Sequence, residues 1–376
     1  MSREIYRPGN EWNPEITSDT IETEGIVLEK VMNKIVSAEC KMKQLDLSFF
    51  NFDAHGHLLA RCLKDAPLVS FGIDSKVLDN KSILLELSKM SRLEHLECLL
   101  APSSIEILQS MERHNSLLFP RLTSLFLEIT QLPVATQFII AISGALQVLQ
   151  IYIEEKASPL DFKDFLLAVI PHVSSLRHID FAAEHMDESS IQDEFTADSI
   201  RASLYELISS SKMRYFRFYN LPEALMENTS WHVEKIAQVA SDAQQITLIG
   251  QRSPQNSLEF SAVIQLCSRL PRLARLSIGP ISTIKFSEGL QSSPNFGLKE
   301  LILAGSSVRD FENFASYIRQ MFPHIEYIGR GDRYLNEWKE VWKLIFPSNG
   351  PKISRFCDPG STIAIYRDQD LQSSIR

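Results

Sequence analysis

The sequence predicts an α/β solenoid, a parallel β-sheet backed by outer helices and built from about eleven irregular repeats. Three observations carry this. A core of the form apolar-x-x-apolar-x-apolar recurs along most of the chain, the first anchors of successive cores lie 24 to 37 residues apart, and most cores are followed by apolar residues at helical spacing. A strand and helix of that length cannot bury their apolar faces alone, but stacked on neighbours they make one continuous core.

The last two anchors of each core alternate with other residues, the period of a strand with one buried face. Such cores run from Met42-Leu45-Leu47 through Leu68-Phe71-Ile73, Leu93-Leu96-Cys98, Leu122-Leu125-Leu127, Leu146-Leu149-Ile151 and Leu176-Ile179-Phe181. They continue as Met213-Phe216-Phe218, Ala243-Ile246-Leu248, Leu273-Leu276-Ile278 and Leu298-Leu301-Leu303, and fade at Ile325-Ile328. The intervening segments predict helices: Leu59, Cys62 and Leu63 share one face, as do Phe165, Leu166 and Val169, and Phe311, Phe314 and Ile318. Pro120, Pro271 and Pro323 each stand two residues before a first anchor, where a helix ends and an extended segment begins.

Ahead of the repeats, Ile26, Val27, Leu28, Val31, Met32, Ile35 and Val36 form a helical stripe that predicts an N-terminal cap. Behind them, Trp338, Val341, Trp342, Ile345 and Phe346 predict a closing helix, and Thr362 to Tyr366 a β-like run. The predicted organisation is a polar N-terminus and cap over 1–40, a solenoid over 41–330 and a C-terminal cap over 331–376.

The anchors, with phrases such as Pro120-Arg121-Leu122-Thr123-Ser124-Leu125 and Pro323-His324-Ile325-Glu326-Tyr327-Ile328, resemble the leucine-rich-repeat superfamily over about residues 40 to 330. The likeness is to the irregular, long-repeat arrays of F-box leucine-rich-repeat proteins common in fungi. Asn220-Leu221 resembles the family's Asn turn, whereas most repeats lack an Asn or Cys at that point. The resemblance implies a horseshoe with a concave parallel sheet, a role in substrate recognition, and the Skp1-cullin machinery as a partner if an F-box is supplied elsewhere. An F-box needs roughly 40 residues of tight helices; residues 1–25 are too few and too polar to supply one.

Composition narrows the function classes. With 44% apolar and 23% charged residues the chain folds, and a net charge of −9 disfavours nucleic acid and anionic lipid as partners. Five scattered cysteines, with no C-x-x-C pair, read as reduced thiols of a cytoplasmic or nuclear protein. No apolar run has the length of a membrane span or a signal-peptide core. No metalloprotease, serine-hydrolase or nucleotide-loop motif is present, so the expectation is a non-enzymatic protein without cofactor or metal. His55-Gly56-His57 reads as a solvated loop, and Gly329-Arg330-Gly331-Asp332 as a turn. Glu184 to Asp198 carries six carboxylates and no Lys or Arg within the longest repeat interval, which predicts an acidic insertion.

In each strand the residues flanking the anchors face away from the core. They form a ladder that begins with Gln44, Asp46, Ser70 and Gly72 and changes character in the middle repeats. There it presents Phe126, Tyr152, His178, Asp180, Tyr215, Arg217 and Tyr219, with Arg275 two strands beyond. Tyr and Arg are the types enriched at binding hot spots, so these eight are the predicted partner-binding residues, forming an exposed patch for a protein or peptide. The alternative is a small-GTPase regulator on the same crescent, by analogy with Ran GTPase-activating proteins, although no matching catalytic Arg is placed.

Overall fold

The computed structural model describes residues 43–47, 56–64, 66–73, 80–112, 118–187, 194–209, 212–221, 229–250, 258–279, 294–329 and 336–347, with isolated positions at 26, 29, 30, 225, 281 and 284. Eleven parallel strands pair strictly in chain order to form one sheet. They are β1 (Gln44–Asp46), β2 (Ser70–Ile73), β3 (His95–Leu100), β4 (Ser124–Ile129), β5 (Val148–Ala157), β6 (His178–Met186), β7 (Tyr215–Leu221), β8 (Gln245–Gly250), β9 (Arg275–Gly279), β10 (Glu300–Leu303) and β11 (Tyr327–Gly329). Among the described residues, ten α-helices accompany them: α1 (Gly56–Leu63), α2 (Lys81–Lys89), α3 (Ser104–Glu112), α4 (Leu132–Ala141), α5 (Pro159–Val169), α6 (Glu194–Ile208), α7 (Thr229–Val239), α8 (Phe260–Arg269), α9 (Phe311–Met321) and α10 (Asn336–Ile345). The first eight alternate with β1 to β9. Between β9 and β10 the described residues form only isolated bridges, Leu258 with Ile281 and Ile284 with Val308.

The predicted anchors build this architecture. Every described anchor is at most 9% exposed, and most are fully buried. The second anchors sit opposite one another across the whole sheet, from Leu45 and Phe71 through Leu125, Leu149, Ile179 and Phe216 to Leu301 and Ile328. Helix residues such as Leu59, Ile83, Phe138, Phe165, Val263 and Phe314 join them in one cluster, so among the described residues the helices cover one face of the sheet and leave the other without a helical layer over most of its length. Phe162, Phe181 and Phe218 pack there with ring centroids 4.7 to 6.2 Å apart.

The coils are also tied at their entrances by a repeated backbone motif. The residue before each strand offers one carbonyl to two successive N–H groups of the next coil: Glu94 accepts from Thr123 and Ser124, Gln147 from Arg177 and His178, and Arg177 from Arg214 and Tyr215. The same sharing recurs at all ten junctions from Lys43 to Lys299, at 2.7 to 3.1 Å. It leaves no choice of register.

Irregular corners are held by side chains. Asn220 adopts a left-handed backbone (φ 56°) and its amide donates to the carbonyl oxygens of Ala183 (2.7 Å) and Glu184 (3.2 Å) on β6. Asn295 is 4% exposed; it donates to the carbonyls of Cys267 and Leu270 and accepts from the N–H groups of Gly297 and Leu298. Gly144 is forced by crowding, because a Cβ there would lie 2.7 Å from the carbonyl oxygen of Leu122.

The last described helix, α10, packs its apolar stripe against the end of the described array. Trp338, Val341 and Ile345 enter the main core, while Trp342 passes to the opposite face of the sheet and packs with Ile302, Tyr327 and Phe346. Of the predicted N-terminal cap, Ile26 is helical and exposed; the rest of its apolar stripe lies outside the described residues, as do His55, Arg330 to Asp332 and Thr362 to Tyr366.

The acidic insertion requires correction. Glu184 to Met186 belong to β6, which re-pairs with β5 after a register shift, and Glu194 to Asp198 open the 15-residue helix α6. The long interval therefore goes into a longer strand and helix rather than an appended loop; residues 188–193 lie outside the described residues.

Replacing Asn295 by alanine removes two donated and two accepted hydrogen bonds from a buried corner and is expected to lower stability by about 3 kcal/mol in urea titration. Replacing the neighbouring, exposed Phe296 by alanine is expected to change it by less than about 0.5 kcal/mol.

Candidate functional site

The register brings all eight predicted residues to the helix-free face in three adjacent rows. One row runs Val148, His178, Tyr215, Gln245, Arg275 and Glu300 across β5 to β10. The next runs Phe126, Gln150, Asp180, Arg217 and Thr247, and the third Glu128, Tyr152, Ala182, Tyr219 and Ile249. The predicted patch is therefore contiguous from Phe126 to Tyr219, with Arg275 at its far margin.

Its exposure differs from expectation. Asp180 is completely buried, and His178, Tyr152 and Arg217 are 5 to 8% exposed, whereas Phe126, Tyr215, Tyr219 and Arg275 are half-buried. Parallel strands lie about 4.8 Å apart, so long side chains abreast of one another exclude water. The centre of the patch is a packed polar layer, and its reachable part is the aromatic and charged margin.

At the centre, Arg217 Nη1 lies 3.2 Å from Asp180 Oδ2, and its Nη2 donates to the Tyr219 hydroxyl at 3.3 Å. The guanidinium carbon stands 5.7 Å from the centroid of the Tyr219 ring, within cation–π range. The contact with Asp180 is ionic without hydrogen-bond geometry, so neither carboxylate oxygen receives a hydrogen bond. His178 packs its ring 5.7 Å from that of Tyr215, and both its nitrogens are buried without a partner. Burial, followed by the Arg217 charge, pulls the His178 imidazole down to about 3, so it is neutral near pH 7. Burial pushes the Asp180 carboxyl up to about 6 against the opposing pull of Arg217, leaving it ionised at neutral pH.

A second grouping lies one row away. The Tyr152 hydroxyl donates to Glu184 Oε1 at 3.0 Å. Burial, that hydrogen bond, and the neighbouring charges of Glu184, Glu128 and Glu154 all raise the Tyr152 pKa. At the margins, Tyr215 donates to Gln244 Oε1 at 2.8 Å, and Arg275 Nε lies 3.5 Å from Glu300 Oε1. Sequence reasoning placed Gln150 on this face without making it a site residue, and passed over Thr247, which is buried in the same row as Asp180, and the convergence of Glu128, Glu154 and Glu184. The alternation that located Asp180 also locates Thr247 and Gln150; the carboxylate convergence requires the cross-strand register. No group of three His, Cys, Asp or Glu side chains suited to a metal occurs among the described residues.

The buried pair makes a mutational prediction. Asp180→Asn strands the Arg217 charge and is expected to lose about 3–5 kcal/mol, while the double replacement Asp180→Leu with Arg217→Met loses far less; urea midpoints of the three proteins check this. The low His178 pKa means that the unfolded chain takes up a proton between about pH 6.5 and 3 that the folded chain refuses. Stability through His178 is therefore lost as pH falls across that window, whereas Asp180, whose pKa is raised, acts in the opposite sense as pH falls through about 6. His178→Gln is expected to flatten the acid-side decline in denaturation curves, with the wild-type advantage shrinking as pH falls. No family model matches this chain, and no curated protein does.

Proposed function

We propose that the chain is a leucine-rich-repeat horseshoe whose concave face docks a protein or peptide, acting as a non-enzymatic recognition module in the cytoplasm or nucleus. The fold assignment is supported by apolar anchors at the L-x-x-L-x-L spacing that stack in register from β2 to β10, and by Asn220 reaching back to the preceding coil. The observation that carries the docking role is the set of half-buried aromatic and Arg side chains, Phe126, Tyr215, Tyr219 and Arg275, that flank a packed polar centre on one face. Aromatic and Arg side chains of this kind supply large contact area at little loss of conformational freedom when already held by neighbours. Cys98 and Cys267 are buried free thiols, in keeping with a reducing compartment. No helix among the described residues is long and apolar enough to cross a membrane. The resemblance to F-box receptors extends the proposal to substrate recognition beside a ubiquitin ligase, with Skp1 and a cullin recruited through an F-box supplied elsewhere.

Affinity capture from native extract, comparing the wild type with Tyr215→Ala/Tyr219→Ala, tests the docking role; because Tyr219 also supports Arg217, the fold of the variant is checked alongside. The double variant is expected to lose the partners captured by the wild type while keeping its circular dichroism. Leu160→Ser/Leu167→Ser, on exposed positions of α5, is expected to keep them. Undiminished capture by the tyrosine variant refutes the role.

A further inference from the structure

Charge is divided between the two ends of the strands. The ends of β4 to β6 that lead into the helices carry Glu128, Glu154, Glu155, Glu184 and Asp187, with Lys156 paired to Asp187. The ends at which the strands begin are basic, although the whole chain has a net charge of −9. Arg92, Arg121, Arg177, Lys212 and Arg214 lie just ahead of β3, β4, β6 and β7, and all are exposed. Against them, Glu94 is the one carboxylate among the described residues in the segments 92–94, 121–123, 145–147, 175–177 and 212–214 that enter β3 to β7.

The register sets four of these arginines side by side in two pairs. His95 pairs with Ser124, so Arg92 and Arg121, each at the same distance ahead, come abreast. His178 pairs with Tyr215, so Arg177 and Arg214 do the same, and the shared carbonyl of Arg177 accepts from the Arg214 N–H at 2.9 Å. Like charges opposite one another on neighbouring strands are unfavourable, and among the described residues none of the four arginines has an ion-pair partner. Further along the same rim the charge is met, Arg272 by Asp242 at 2.7 Å and Lys299 by Glu326 at 3.5 Å. Helix dipoles do not account for the four. Helix C-termini favour positive charge within the last turn, but these arginines stand in the connections beyond the ends of α2, α3, α5 and α6.

We infer that this rim, at the start of β3 to β7, binds an extended acidic polypeptide segment through the guanidinium pairs Arg92/Arg121 and Arg177/Arg214. A guanidinium meets a carboxylate with two parallel hydrogen bonds, and side-chain carboxylates placed between two abreast guanidiniums offset their mutual repulsion. The pairs are separated by β5, whose entry offers the uncharged Ala145 and Gln147. A ligand that meets both pairs therefore reaches across at least two strand spacings, about 10 Å, whereas a single small anion serves only one. From β3 to β7 the patch is four spacings long, about 19 Å. An acidic polypeptide can confine its charge to that length. A nucleic acid carries its charge on past both ends, beside a helix-free face whose rows over β1 to β6 already contain Asp46, Glu97, Glu128 and Asp180. The site lies on the edge of the sheet rather than on its face, so it goes beyond the docking role proposed above and stands on separate residues.

The test uses the full chain and fluorescence anisotropy with three fluorescein-labelled probes: a twelve-residue peptide of alternating glutamate and serine, its lysine counterpart, and a twelve-nucleotide oligothymidylate. The glutamate peptide is expected to bind, the lysine peptide not to, and the oligothymidylate to bind more weakly than the glutamate peptide. Arg92→Gln/Arg121→Gln/Arg177→Gln/Arg214→Gln is expected to weaken glutamate-peptide binding about tenfold and to flatten its salt dependence, the scale of several exposed ion pairs. Should that variant fail to fold, Arg92→Gln/Arg121→Gln and Arg177→Gln/Arg214→Gln are each expected to weaken binding about threefold. Lys156→Gln/Lys163→Gln/Lys339→Gln/Lys343→Gln removes the same charge from the opposite edge, α5 and α10 and is expected to change binding less than about twofold, since separated surface charges are screened. Equal weakening by both quadruple variants, equal binding of the two peptides, or tighter binding of the oligothymidylate overturns the inference. Failure of the glutamate peptide to bind also overturns it, and leaves the docking role standing so long as extract capture depends on Tyr215 and Tyr219. Circular dichroism of every variant separates lost binding from lost folding.

Discussion

Each coil is bound to the next by one carbonyl that accepts two consecutive N–H groups, and everything else in the molecule follows from that shared acceptor. A one-residue slip in a strand moves every side chain to the opposite face. The doubled hydrogen bond at Lys43, Val69, Glu94 and each later entrance fixes where the strand starts, so the slip cannot occur at one coil without breaking two bonds. The anchors then fall on anchors and the polar rows on polar rows. A parallel sheet needs its crossover connections to be long, and the helices fill that length while covering the anchor face.

The anchor ladder was legible because its information is local: three apolar residues at fixed spacing identify a strand, its buried face and its register with the next. The same alternation placed the eight predicted residues together on one face. Their burial was not legible, because it depends on what stands abreast across strands. Asp180 lies between Gln150 and Arg217 in one row and beside the Tyr152–Ala182–Tyr219 row, and no single-strand pattern announces that crowding. Asn295 shows a second kind of gap. It belongs to no repeat motif, and its corner role arises from two carbonyls of the preceding coil, Cys267 and Leu270, more than twenty residues away. The acidic stretch after β6 misled for a related reason, since charge alone does not distinguish an inserted loop from a strand edge followed by a helix start.

The polar layer at β6 and β7 runs against the interests of stability. A buried carboxylate without hydrogen bonds and a buried imidazole with two unpartnered nitrogens are each unfavourable relative to apolar residues of similar size. What the arrangement provides is rigidity: Arg217 is held between a charge, a hydroxyl and an aromatic face. Its neighbours at the margin are therefore held in place rather than free to rotate. The face divides into an acidic side over the early strands and a mixed, Arg-bearing side beyond β7, with the rigid pair at the boundary.

The placing of Trp342 has a consequence for how the protein behaves at high concentration. A three-residue edge strand such as β11 is a template on which another molecule could add its own first strand, producing head-to-tail filaments without limit. The indole N–H of Trp342 occupies the Ile328 carbonyl, and the helix that carries it lies across both faces of the sheet at that end. Polymerisation through this edge would have to peel away a tryptophan-anchored helix first, which makes α10 a terminator of assembly as well as a lid on the core.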